Sequence, residues 1–180
     1  APSKMEREET WWGRLLAKTG DNLLLNDSWS GSPVCYTGYN GTDCSRFGSF
    51  ICRFREYVKK DFFEKNKVDT VFVFGGTNDS WSNAPLGEEK FEDWKNDELY
   101  SVLPAIGYFF NLLRETLSKA DIYCMINTGN KPEISNCMLK ACEIYGITPI
   151  TFDSIDKKCG HPTIKGMEDI KNGVMKVLNK

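Results

Sequence analysis

Apolar positions along the chain fall into two kinds of pattern. Continuous runs occur at Leu23 to Leu25, Val68 to Phe74, Ile122 to Ile126 and Ile147 to Phe152, each closed by small polar or glycine residues. Runs of this length, several rich in β-branched and aromatic side chains, predict strands buried on both faces. Between them the apolar positions recur at three- and four-residue steps, the mark of a helix with one buried face. Phe47, Phe50, Ile51, Phe54, Tyr57, Val58 and Phe62 place such a helix from Ser45 to about Lys65. Further helices are predicted from Trp11 to Lys18, Glu98 to Ser118, Pro132 to Tyr145 and Thr163 to Leu178, with Gly20 and Gly146 as stops. Residues 32–44 and 77–97 are rich in turn formers and predict loops, the second with Trp81 and Trp94 embedded in it.

Buried strands alternating with amphipathic helices specify an α/β domain whose mostly parallel sheet is covered on both faces. The 180 residues suit one such domain, and no repeat, linker or shift in composition divides them. Composition adds exclusions. Lys and Arg number 23 against 25 Asp and Glu, a net charge of −2, so the surface has no field to gather a nucleic acid. No apolar run approaches the ~20 residues needed to cross a bilayer, and no membrane partner is expected. The seven cysteines are odd in number, lack a C-x-x-C pair and have one histidine to join them, which disfavours a metal site. Reduced, buried thiols in a cytoplasmic setting are the expectation, although the opening Ala1 leaves room for a removed export signal.

In open α/β sheets ligands bind beyond the carboxyl ends of the strands. Residues just after the predicted strands are Asn26-Asp27-Ser28-Trp29-Ser30-Gly31, Gly75-Gly76-Thr77-Asn78-Asp79, Asn127-Thr128-Gly129 and the stretch from Asp153 to His161. Turn and cap formation explains the Asn127 group well enough. The other three contain what acyl transfer needs: donors for a developing oxyanion, a base, and an acid that orients the base. Gly31 offers a backbone N–H and Asn78 a side-chain amide; His161 is the only imidazole, and Asp156 precedes it closely. No cofactor is called for. Gly75-Gly76-Thr77 is too short to cradle phosphates, which disfavours a nucleotide-binding protein.

The block Gly75-Gly76-Thr77-Asn78-Asp79 after an apolar strand resembles the G-x-N-D block of the SGNH, or GDSL-type, hydrolases. Asp156 with His161-Pro162-Thr163 and Gly166 resembles their C-terminal Asp-His block, and Leu23 to Gly31 is similar to the strand and loop that present the family's oxyanion-hole glycine. The resemblance spans most of the chain. It implies a flavodoxin-like three-layer sandwich and hydrolysis of a small-molecule ester, such as an acylated carbohydrate or a lipid. Two departures stand out. The family places its Asp three residues before the His, where this chain has Lys158; Asp156 lies five before, and Asp153 is the fallback.

The second departure is the nucleophile. The family's serine follows a first strand that sits centrally in the sheet, yet residues 1–10 contain no apolar run. The expectation is that this strand and its serine lie upstream of residue 1. The alternative makes Asn26-Asp27-Ser28-Trp29-Ser30 a variant G-D-S block with Ser28 as nucleophile. A third reading is a non-catalytic ligand-binding module on the same fold.

Overall fold

The computed structural model describes residues 5–178. In chain order its elements are α1 (Trp11–Thr19), α2 (Phe50–Lys59), α3 (Phe62–Lys65), β1 (Thr70–Val73), α4 (Thr77–Trp81), α5 (Val102–Thr116), β2 (Asp121–Ile126), α6 (Pro132–Tyr145), β3 (Thr148–Thr151), β4 (Lys157–Lys158), β5 (His161–Pro162) and α7 (Ile164–Leu178). The strands β1, β2 and β3 form one sheet in that order, with β1 and β2 parallel and Thr70 opposite Asp121. This is the α/β architecture the alternation of patterns predicts. The described residues form two compact units, Ser28–Pro149 and residues 5–27 with 150–178.

The core of the Ser28–Pro149 unit gathers Val34, Ile51 and Val73 with Leu99, Ile106, Phe110 and Leu113, and with Ile122, Cys124, Ile134 and Met138. Helix α5 is apolar around much of its circumference, which is why it lies buried between other elements instead of on the surface. Arg114 on its last turn donates to the carbonyls of Tyr145 (3.0 Å) and Gly146 (2.7 Å) at the end of α6 and of Ala120 (3.1 Å) just before β2, so one guanidinium ties two segments to α5. In the other unit α1 packs on α7, with Leu15, Ile170 and Val174 buried and Arg14 Nη1 2.8 Å from Glu168 Oε2.

The structure redraws the predicted elements in three places. The helix expected over residues 45–65 begins only at Phe50, where the Ser49 hydroxyl accepts from the Cys52 N–H (3.1 Å), and it breaks after Lys59 because Asp61 adopts φ +55°. Both pieces still present aromatics to one cluster, Phe54 stacking on Phe63 at 4.8 Å, so the periodicity runs on across the break. The helix expected from Glu98 starts as a single 3-10 turn, Glu98–Tyr100, and Ser101 is extended before α5 begins. The third difference bears on function. Residues 21–29 form no strand, and Leu23, Leu24 and Leu25 are exposed at 41%, 49% and 39%. A run of leucines makes a strand only where a neighbouring strand supplies ladder hydrogen bonds and cover. Among the described residues β1 has a strand beside it on one side only.

All seven cysteines are free thiols and six are buried. Burial raises the Cys35, Cys124 and Cys137 thiols well above their ordinary range, so these three are packing groups and not nucleophiles. Among the described residues no helix is long and apolar enough to cross a membrane.

Candidate active site

The residues after β1 are positioned by a buried carboxylate. Gly75-Gly76 ends the strand and α4 opens at once, which carries Asp79 fully into the protein. Its Oδ1 accepts the N–H groups of Val34 (2.9 Å) and Cys35 (3.1 Å), and Oδ2 lies 3.0 Å from the Val34 nitrogen. Removal from water raises the Asp79 pKa above the ordinary carboxylate range, against the pull of these N–H bonds, which lowers it. The effect is to clamp the loop of residues 32–36 against α4. That clamp brings the two predicted oxyanion donors into one neighbourhood.

Asn78, one residue earlier, donates from Nδ2 to the Ser32 carbonyl (3.0 Å), while the Tyr39 hydroxyl donates to Asn78 Oδ1 (3.2 Å). The two bonds fix which end of the amide is which: Oδ1 is occupied by a donor, and the second Nδ2 hydrogen remains for a ligand. Burial, and then the charge of Asp79, raise the Tyr39 pKa, which keeps this hydroxyl a donor near neutrality. Ser32 in turn is held through its hydroxyl, which donates to the Gly48 carbonyl (2.5 Å) and accepts from Arg53 Nη2 (2.9 Å).

Gly31 immediately precedes Ser32, at the exposed corner of a turn in which the Ser32 N–H reaches the Trp29 carbonyl at 3.4 Å. Its φ of +74° is a left-handed conformation that glycine adopts without penalty. No atom lies within 4 Å of where a Cβ would stand, so the space beside it is open, and its N–H has no protein acceptor among the described residues. Ser28 is exposed at the end of the irregular 21–29 segment, without the preceding strand that would make it a nucleophile elbow.

The remaining predicted residues belong to the other unit. Lys157-Lys158 pairs antiparallel with His161-Pro162 in a hairpin turned by Cys159 and Gly160, both at positive φ, and His161 is exposed on it opposite Lys158. Asp156 lies just before the hairpin. Its Oδ2 accepts from the Thr163 hydroxyl, its carbonyl from the Thr163 N–H (3.0 Å), and its own N–H donates to Asp169 Oδ2 (3.0 Å). Asp153 is exposed three residues earlier. Gly166 in the first turn of α7 makes this possible, because a Cβ there would stand 2.1 Å from the Asp156 carbonyl oxygen. Gly166→Ala should therefore displace the Asp156 segment and lower stability by about 1–3 kcal/mol, the usual cost of overpacking. Thermal unfolding of the variant checks this; an unchanged midpoint would remove the constraint.

The Asn127 side chain donates to Thr77 Oγ1 (2.6 Å), which links the ends of β1 and β2. Trp94 packs edge-on against Tyr108 and donates to the Lys90 carbonyl (3.0 Å), which makes it part of the core periphery; Trp81 is exposed. Tyr39, Ser32 and Arg53, which hold the Asn78 amide and the loop beside it, are not among the residues the sequence singles out. Nothing marks them in the sequence, because loop closure through Asp79 is what brings them to Asn78.

Residues 3–178 match the sequence profile of the GDSL-like Lipase/Acylhydrolase family. The chain belongs to this family. Among solved structures, two described as GDSL-like lipases, from Bacteroides ovatus and Bacteroides uniformis, share 34% and 36% sequence identity with it. They superpose with TM-scores of 0.86 and 0.87 over 99% of this chain, which covers 84% and 83% of theirs. A protein from Lactobacillus plantarum, at 16% identity and TM-score 0.74, shares the fold across 99% of this chain and 91% of its own. No curated protein sequence matches. Membership of the GDSL-like family makes hydrolase chemistry the setting in which the Asn78 and His161 regions are read.

Proposed function

We propose that this GDSL-like family member is a serine esterase that removes an acyl group from a carbohydrate or lipid ester. In this reading Asn78 Nδ2 and the Gly31 N–H stabilise the tetrahedral oxyanion, His161 is the general base, and Asp156 orients it. The observation that carries the proposal is the double tether of the Asn78 amide by Tyr39 and Ser32, one residue from an open glycine N–H. Donors held before the substrate arrives need no reorganisation as charge develops on the carbonyl oxygen.

The nucleophile is proposed to be a serine on a strand outside these 180 residues, placed beside β1. The unaccompanied side of β1 among the described residues supports this. Hydrolysis of a chromogenic acetate ester separates the possibilities when measured on this chain, on its Ser28→Ala variant and on an N-terminally extended form. Activity only in the extended form is the expected result. Activity in this chain that Ser28→Ala abolishes would make Ser28 the nucleophile, and inactivity of all three would favour a binding module on the same fold.

A further inference from the structure

Beside the oxyanion donors two large aromatic side chains stand out of the surface. Trp29 and Phe47 are 44% and 69% exposed, and their rings meet edge to face at 5.1 Å and 67°. Exposure of this kind is expected of side chains on mobile loops, but these are braced. The Arg53 guanidinium lies over Trp29 at 5.1 Å and over Phe50 at 5.2 Å, so one face of the indole is backed by a buried residue. The same guanidinium donates to Ser32 Oγ, which holds the carbonyl of Gly48, the residue after Phe47. The backbone of Trp29 is turned back on Ser32, whose carbonyl anchors the Asn78 amide. One connected set of contacts therefore fixes the aromatic corner and the amide together.

We propose that Trp29 and Phe47 form the platform for an apolar chain of the ester substrate, making the protein selective for acyl groups longer than acetyl. This rests on the esterase reading for its chemistry. Trp29 lies two residues before Gly31, and Ser32, which holds the Asn78 amide, is hydrogen-bonded to the Trp29 carbonyl, so the aromatic corner adjoins both proposed donors. The corner is made of apolar ring surface. That suits methylene groups, whereas a sugar ring would need hydrogen-bond partners for its hydroxyls. Each methylene fully removed from water adds about fourfold in affinity, so two further carbons on the platform should give up to about sixteenfold.

The test uses binding, which does not depend on the nucleophile, alongside turnover. Isothermal titration of the chain with sodium octanoate and sodium acetate should show octanoate at least tenfold tighter. Phe47→Ala should remove most of that difference, and Phe47→Leu should restore part of it. In the active form, kcat/KM for p-nitrophenyl esters should rise from acetate to butyrate to octanoate, and Phe47→Ala should flatten the series. Equal affinity for the two acids, or a variant that weakens both alike, overturns the platform. Octanoate selectivity in a protein without esterase activity would count against the hydrolase reading and leave the platform standing.

Discussion

Replacing Asn78 by alanine is expected to lower kcat for ester hydrolysis by about 10²- to 10³-fold, the cost of one oxyanion donor. KM should change little, because the amide faces charge that develops only in the transition state. The wild-type amide is tethered at both ends, by the Tyr39 hydroxyl and the Ser32 carbonyl, so its free hydrogen is aimed and not merely nearby. Asn78→Asp is the informative control. It keeps the shape but replaces the donor with a charged acceptor facing both the Ser32 carbonyl and the oxyanion, and should be at least as damaging as alanine. Measurement of kcat and KM with a chromogenic acetate, on the form that carries the nucleophile, checks both. A rate within a factor of three of wild type would remove Asn78 from the mechanism.

The largest effect on stability is expected at Asp79. Alanine there leaves the Val34 and Cys35 N–H groups buried without their acceptor. Each orphaned donor costs about 1–3 kcal/mol, partly offset by relief from burying a carboxylate, for a net loss of about 2–4 kcal/mol. Activity should fall with it, since residues 32–36 would no longer be clamped against α4. Asparagine separates charge from hydrogen bonding. Because the Asp79 pKa is raised in the folded state, the folded protein holds its proton more tightly than the unfolded chain does. Its contribution is thus greatest below the ordinary value of 3.8 and declines as pH rises through the raised one. Chemical denaturation of wild type and Asp79→Asn across this acidic window should show the gap between them narrowing with pH. A gap that widens would mean the N–H bonds outweigh desolvation.

How far the sequence spoke for the structure depended on how local the cause was. Helix α6 runs from Pro132 to Tyr145 as expected, because proline at its first position and glycine after its last are signals within a few residues. The break at Asp61 escaped detection because a left-handed aspartate leaves the apolar period intact on both sides. Leu23 to Leu25 misled for the opposite reason: the residues are suited to a strand, but a strand exists only with a partner beside it. Of the candidate site, Asn78 and Gly31 could be named from motif and position, and their proximity follows from Asp79, visible beforehand only as the last letter of a block. Tyr39 and Ser32 lie 39 and 46 positions from Asn78, and Arg53 lies 21 from Ser32, all joined by loop geometry that no short pattern encodes.

The pairing of α1 with α7 joins segments far apart along the chain, the contacting residues Arg14 and Glu168 being 154 positions apart. During synthesis α1 leaves the ribosome well before α7, so it must wait for its partner while Ser28–Pro149, which lies between them, has all its own elements to hand. Until then the side of α1 that carries Leu15 stays uncovered, a hydrophobic target for chaperones. A premature stop codon anywhere before Ile164 would leave it that way for good.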